Sequence, residues 1–282
     1  MNKIISELVS FLKKELRKVV EIESLTFVGS FAEDKSKKLQ KFNDLDFVII
    51  CEKVGKKEMN TFKRIVEKTR EKFQSEEIGI THTFDIGPTK IKSRKEITLM
   101  VHFLVYPSKM YKEYESTQTR QSFQKYRPLY GKSLKEYSEV LEISKADLFN
   151  KIDGIPAIKK WIGQRKIEYL QPNEKAYKIK EKKLTNEEFK EIAFYSVLRL
   201  SNNILKLKGI SLNVNKESCQ KFKESVSITL NNLPLQYLKY KNKHRKGICL
   251  SVHEERNLQK EVLEFVSQCE EYLNQRKEEQ ER

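Results

Sequence analysis

Residues 25–50 read LTFVGSFAEDKSKKLQKFNDLDFVII, and the chemistry of the chain is concentrated in them. Leu25 to Val28 is an apolar run that ends in Gly29-Ser30, a tight turn. Phe31 to Phe42 is charged and reads as a short helix or a helix plus loop. Leu45 to Cys51 is a second apolar run, opened by Asp44 and Asp46. Side chains alternate along a strand, so Asp44 and Asp46 point to one face while Leu45 and Phe47 point to the other. Two carboxylates this close repel unless a cation lies between them, and hard divalent ions take oxygen ligands of this type. The stretch therefore reads as a metal site beside a turn.

Gly-Ser, the intervening positions 31 to 43, then Asp-apolar-Asp-apolar resembles the signature of the DNA polymerase beta-like nucleotidyltransferase superfamily. The resemblance implies that Gly29 and Ser30 hold the triphosphate of an incoming NTP. It implies that Asp44 and Asp46 ligate two Mg²⁺ ions, with Mn²⁺ as a substitute. The family also places a third carboxylate on a strand beside the pair, as metal ligand and base. Asp85, in Phe84-Asp85-Ile86-Gly87-Pro88, is similar to that element, and its other reading is the start of the Gly87-Pro88 turn. His102 is the runner-up for the third position. A lone histidine in the apolar run Glu96 to Pro107 also reads as a hydrogen-bonded core residue.

Lysines surround these residues. Lys35, Lys37, Lys38 and Lys41 lie near enough to the turn to meet a phosphate, or form a solvated basic face. Lys90, beyond Gly87-Pro88, belongs to a basic segment assigned to the nucleotide.

At 282 residues, with 38% hydrophobic and 34% charged residues, the chain is long enough for two domains, each with its own core. The expected class is α+β. A mixed-sheet nucleotidyltransferase domain with flanking helices spans 1–138, and an all-α helical bundle spans 139–282. In the first, helical periodicity predicts Asn2 to Val20 and Lys57 to Phe73, with strands at Ile78 to Ile86 and Glu96 to Pro107, the last expected to be central. In the second, helices are expected over Lys145 to Tyr169, Asn186 to Lys208, Lys216 to Ser227 and Val252 to Arg276. Thr185 with Glu188 forms a capping box, and Gly209 is a stop. Ala193 to Gly209 resembles the helices that follow the catalytic domain in kanamycin-type enzymes. There Arg199 is either a polar contributor to the nucleotide cleft or a surface ion pair.

The four cysteines are far apart with no Cys-x-x-Cys pair, which argues against a zinc site or a disulfide framework. No run approaches the ~18 apolar residues of a membrane span, so the expectation is no membrane partner and a cytoplasmic location. A formal charge of +16 favours an anionic partner and is spread over both halves. The densest basic cluster, Lys239, Tyr240, Lys241, Lys243, Arg245 and Lys246, offers phosphate contact with base stacking, or is a solvated loop. The functional expectation is nucleotidyl transfer to an RNA 3′ end such as that of tRNA. Alternatives are a small-molecule antibiotic, a protein hydroxyl, or a lapsed RNA-binding or antitoxin-like module. Some relatives act as toxins or defence factors, so an antitoxin or a second copy of the chain is a further partner class.

Overall fold

The computed structural model describes residues 3–19, 21–34, 36–85, 93–111, 122–137, 143–150, 154–172, 177–212, 214–246, 248 and 250–280. The chain divides into two compact units, Met1–Leu141 with Tyr169–Lys180, and Glu142–Glu168 with Glu181–Arg282.

In the first unit, α1 (Lys3–Leu16) leads to β1 (Ile22–Val28), α2 (Ser30–Glu33) and β2 (Phe42–Cys51). Then come α3 (Lys56–Phe73), β3 (Ile78–Thr83), β4 (Ile97–Pro107), α4 (Ser108–Tyr111) and the short β5 (Tyr130–Gly131). The sheet order is β3-β4-β2-β1-β5. β1 pairs antiparallel with β2 and β5, while β4 runs parallel to β2 and β3. The central position therefore belongs to β2, which carries the aspartates, and not to β4 as its hydrophobicity suggested. β2 also begins at Phe42, three residues before the apolar run starts, because Phe42 and Asn43 continue the register against Thr98 and Leu99.

The period of two sorts this sheet cleanly. Leu45, Phe47, Ile49 and Cys51 of β2 join Val101, Phe103 and Val105 of β4 in one core, covered by Ile5, Leu8 and Leu12 of α1 and Phe62, Ile65 and Val66 of α3. Rings run through it in sequence, Phe27 to Phe47 at 5.0 Å, Phe47 to Phe103 at 5.9 Å and Phe103 to Phe84 at 5.5 Å between centroids. Val48 and Ile50 pack on the other face with Leu104, Tyr106, Tyr111 and Leu134. Asp44, Asp46 and His102 belong to that second face by parity, at the end of β2 where the apolar cover stops.

The helical remainder holds α5 (Lys145–Leu148), α6 (Ile155–Gln164), α7 (Asn186–Leu207), α8 (Lys216–Ser225), α9 (Leu233–Arg245) and α10 (Val252–Gln280). The expected single helix over Lys145 to Tyr169 is broken. Gly154 caps α6 at its start, and Arg165, at φ 52° in the left-handed region, ends it. β6 (Lys166–Pro172) then pairs with β7 (Tyr177–Lys183) in a two-stranded sheet that helical periodicity did not reveal.

α7 is the organising helix of the second unit. Its capping box forms as expected, the Glu188 amide donating to Thr185 Oγ1 at 3.3 Å and the Thr185 amide to Glu188 Oε2 at 3.0 Å. Gly209 follows it at φ 75°. Phe194 and Val197 of α7 meet Trp161 of α6, Phe222 of α8, Tyr237 of α9 and Phe265 of α10 in one core. Cys51, Cys219 and Cys269 are free and buried. No helix among the described residues is long and apolar enough to cross a membrane.

Candidate active site

The parallel register of β2 and β4 sets Asp44 beside Met100 and Asp46 beside His102. Asp44, Asp46 and His102 each present a ligand atom within 4.8 Å of the other two. The carboxylates are half-buried, whereas the histidine is buried. Two carboxylates supply the hard oxygen donors that suit Mg²⁺ or Mn²⁺, so the donor set fits the ions that the sequence implied.

His102 is engaged on both sides. Its Nε2 is 2.8 Å from the main-chain oxygen of Asp85, and its Nδ1 is 3.0 Å from Asp46 Oδ1. A carbonyl only accepts, and so does an ionised carboxylate, so both ring nitrogens carry hydrogen. Burial opposes that charge. The bond to Asp46, the negative charges of Asp46 and Asp44, and the Asp85 carbonyl outweigh it and raise the histidine to about 9.

Across from the pair, the β1–α2 turn closes on Gly29, at φ 83° and ψ −169°, a conformation essentially reserved for glycine. A Cβ there would stand 2.8 Å from Asp46 Oδ2. The missing side chain thus lets the turn and the carboxylate share the site. Ser30 Oγ receives a hydrogen bond from Lys37 Nζ, and that ammonium also lies 4.5 Å from the centre of the Phe31 ring. On the far side of the turn, Lys125 pairs with Glu33. Tyr126 is hydrogen-bonded to the same Glu33 carboxylate and to the Gly29 main chain, and burial followed by the Glu33 bond pushes its hydroxyl well up.

No protein-family model matches the chain, and no curated protein matches it. Among solved structures, it is similar to the spectinomycin adenyltransferase AAD(9) from Enterococcus faecialis, determined with ATP and spectinomycin. The similarity covers 94% of this chain and 99% of that one, with a TM-score of 0.51 and 13% identity. The chain shares the fold of that adenyltransferase.

Within this fold, the structure brings together Gly29, Ser30, Asp44, Asp46 and His102, and reaches Asp85 through its carbonyl. Lys90 lies outside the described residues. Arg199 donates from Nη1 to the Tyr195 hydroxyl at 3.1 Å, one turn earlier on α7, with its guanidinium 5.5 Å from that ring. The basic cluster is a helix and not a loop. α9 exposes Lys239 and Lys243, and Lys246 follows it exposed, whereas Lys241 is half-buried. Tyr240 packs inward, 5.7 Å from the Tyr237 ring and 6.4 Å from Phe194, and receives a hydrogen bond from Gln236 at 2.6 Å. Its half-buried ring packs against the helical core. Arg245 ends α9.

Tyr126 and Glu33 were missed as site residues. The signal was present only as the Tyr-Arg-Pro interruption at 126 to 128, because Tyr126 lies about a hundred residues of sequence from Glu33 and Gly29.

Proposed function

We propose that the chain is a metal-dependent nucleotidyltransferase that moves an NMP from an NTP to an acceptor hydroxyl and releases pyrophosphate. The observation that carries this reading is the half-buried Asp44 and Asp46 pair facing the Gly29-Ser30 turn within the polymerase beta-like fold. Residues 1–138 carry the transfer chemistry in this reading, and 139–282 serve the acceptor.

Asp44 and Asp46 would hold divalent cations, which would supply charge neutralisation to the phosphates during an in-line displacement. Ser30 and the Gly29 amide face the triphosphate, and Lys37 supplies the cation next to Ser30. The acceptor oxygen forms its bond to the α-phosphorus as the bond to the bridging oxygen breaks, and pyrophosphate leaves. The acceptor proton goes to a carboxylate, which we assign as Asp85, since His102 holds its main chain beside the pair.

For the acceptor we favour an RNA 3′ end. The support is the +16 charge and the exposed Lys239, Lys243 and Lys246. A small-molecule acceptor is the second reading, and its support is the similarity to an enzyme determined with spectinomycin. Incubation of the full chain with each α-labelled NTP, Mg²⁺ and either total RNA or spectinomycin separates the two. Label on RNA supports the first, label on the antibiotic the second. Label on the protein itself points to a protein hydroxyl. No transfer from any NTP to any of the three overturns the enzymatic reading.

A further inference from the structure

The Asp46 carboxylate is used from two directions. Oδ1 faces the His102 ring at 3.0 Å, and Oδ2 faces the Gly29 turn, 2.8 Å from where a glycine Cβ would stand. The ring that takes Oδ1 is anchored at its other end, 2.8 Å from the Asp85 main-chain oxygen. We propose that His102 is a positioning residue: it ties the Asp46 carboxylate to the main chain of Asp85, so that Oδ2 stays turned toward the Gly29-Ser30 phosphate turn.

Spacing alone admits His102 as a third metal ligand. Its hydrogen bonds argue otherwise. Nε2 is taken by the Asp85 carbonyl and Nδ1 lies on Asp46 Oδ1. The ring is thus held between a main-chain anchor and the carboxylate, the arrangement of a group that orients a ligand. Hydrogen bonds to ligating groups fix their orientation in this way.

The placement is built into the sheet. Parallel pairing sets residue 102 beside Asp46, and Val101 and Phe103 lock the flanking backbone into the opposite core. The Asp85 end of β3 is fixed in turn, because its amide bonds Thr83 Oγ1 at 3.1 Å and Phe84 stacks on Phe103. Imidazole spans both partners at once. An asparagine at 102 is too short to do so, and a glutamine has the length without the rigidity.

The proposal rests on the nucleotidyl-transfer reading but is tested through Mn²⁺ alone. Full-length wild type, His102→Asn and His102→Gln are titrated with Mn²⁺ by electron spin resonance, with thermal melts showing which variants fold. A folded variant should bind Mn²⁺ about 10–100-fold more weakly, as for loss of an outer partner of a ligand. Placed on an Asp46→Asn background, the same change should add no further loss, because the two act through one contact. Spin-echo spectra of Mn²⁺-loaded wild type should lack the coupling of a directly bound ¹⁴N. Unchanged Mn²⁺ affinity in a folded variant, or a bound-nitrogen signal in wild type, overturns the proposal. Absence of transfer by wild type to any acceptor instead overturns the functional reading, and the Mn²⁺ comparison still decides the role of His102.

Discussion

Gly29 and Asp46 approach so closely that a methyl group on the glycine would lie 2.8 Å from Asp46 Oδ2. The backbone at Gly29, φ 83° with ψ −169°, is one that residues with a Cβ avoid. Gly29→Ala thus meets strain and a clash together. We expect a stability loss of about 1–3 kcal/mol by urea denaturation, and a fall in kcat/KM for the NTP larger than that loss accounts for at saturating stability. A fully active, equally stable Gly29→Ala protein would show that the turn does not need this approach.

Lys37 and Ser30 make a separable prediction. The ammonium sits on the Ser30 hydroxyl, where a phosphate oxygen would take a charge-assisted bond. Such a bond contributes roughly 1.5–3 kcal/mol, trimmed by solvent at a half-exposed side chain. Lys37→Ala should raise KM for the NTP about tenfold, which is ~1.4 kcal/mol, and leave kcat within about twofold. The effect should shrink as salt rises, because screening weakens an exposed contact. Steady-state kinetics at two ionic strengths give the answer, and a kcat-only defect would place Lys37 elsewhere in the mechanism.

For the carboxylates the expected outcome combines lost function with an intact fold. Asp44→Asn and Asp46→Asn keep shape and remove charge from two groups that repel each other. The Asp44→Asn melting temperature should hold or rise slightly, and that of Asp46→Asn should fall because the buried His102 loses its partner, whereas Mn²⁺ binding and transfer fall in both beyond the ~10–100-fold typical of an outer partner. A collapse of the Asp44→Asn melting temperature would mean that this carboxylate stabilises the fold and does not hold an ion.

How much of this was legible in the sequence depends on the range of each interaction. Asp44 and Asp46 could be read because their signal is local: a two-residue alternation next to a turn. The Thr185–Glu188 box and the Gly209 stop were local for the same reason. Helix α9 was hidden because its second half, Lys239 to Arg245, is polar or charged apart from Tyr240. What fixes it is Tyr237 and Leu233 meeting the core of distant helices, together with Pro234 at its first turn. β6 and β7 were hidden because Ile158, Trp161 and Ile162 extend a helical spacing toward Ile167. Only the left-handed turn at Arg165 breaks it. His102 was noticed without its role, since its partner on one side is a main-chain carbonyl, which no side-chain pattern records. The Tyr126 bond to Glu33 and Gly29 was invisible on the same ground.

The last prediction concerns stability and pH, through Arg70 of α3 and His82 of β3. Arg70 donates from Nη2 to His82 Nδ1 at 3.0 Å and from Nε to the Ile80 carbonyl at 3.2 Å. The imidazole must accept from a permanent cation, so it is neutral in the fold. Burial first, then the charges of Arg70 and Lys63, lower it from 6.5 to about 4, with the Phe84 ring against it at 5.5 Å. The sign follows from linkage. Between pH 6.5 and 4 the unfolded chain takes a proton at this position that the folded chain refuses. The contribution is therefore complete above 6.5 and drains away as pH falls toward 4. Because the ring is only half-buried, solvent screening reduces it to on the order of 1 kcal/mol. His82→Phe removes the titrating group while keeping an apolar ring on β3. Carboxylates also titrate in this range, so the readout is the difference between wild type and variant, from urea denaturation at pH 7, 5.5 and 4.5. The gap should move in favour of the variant with each step down, and parallel stability curves would show that His82 is protonated equally in both states.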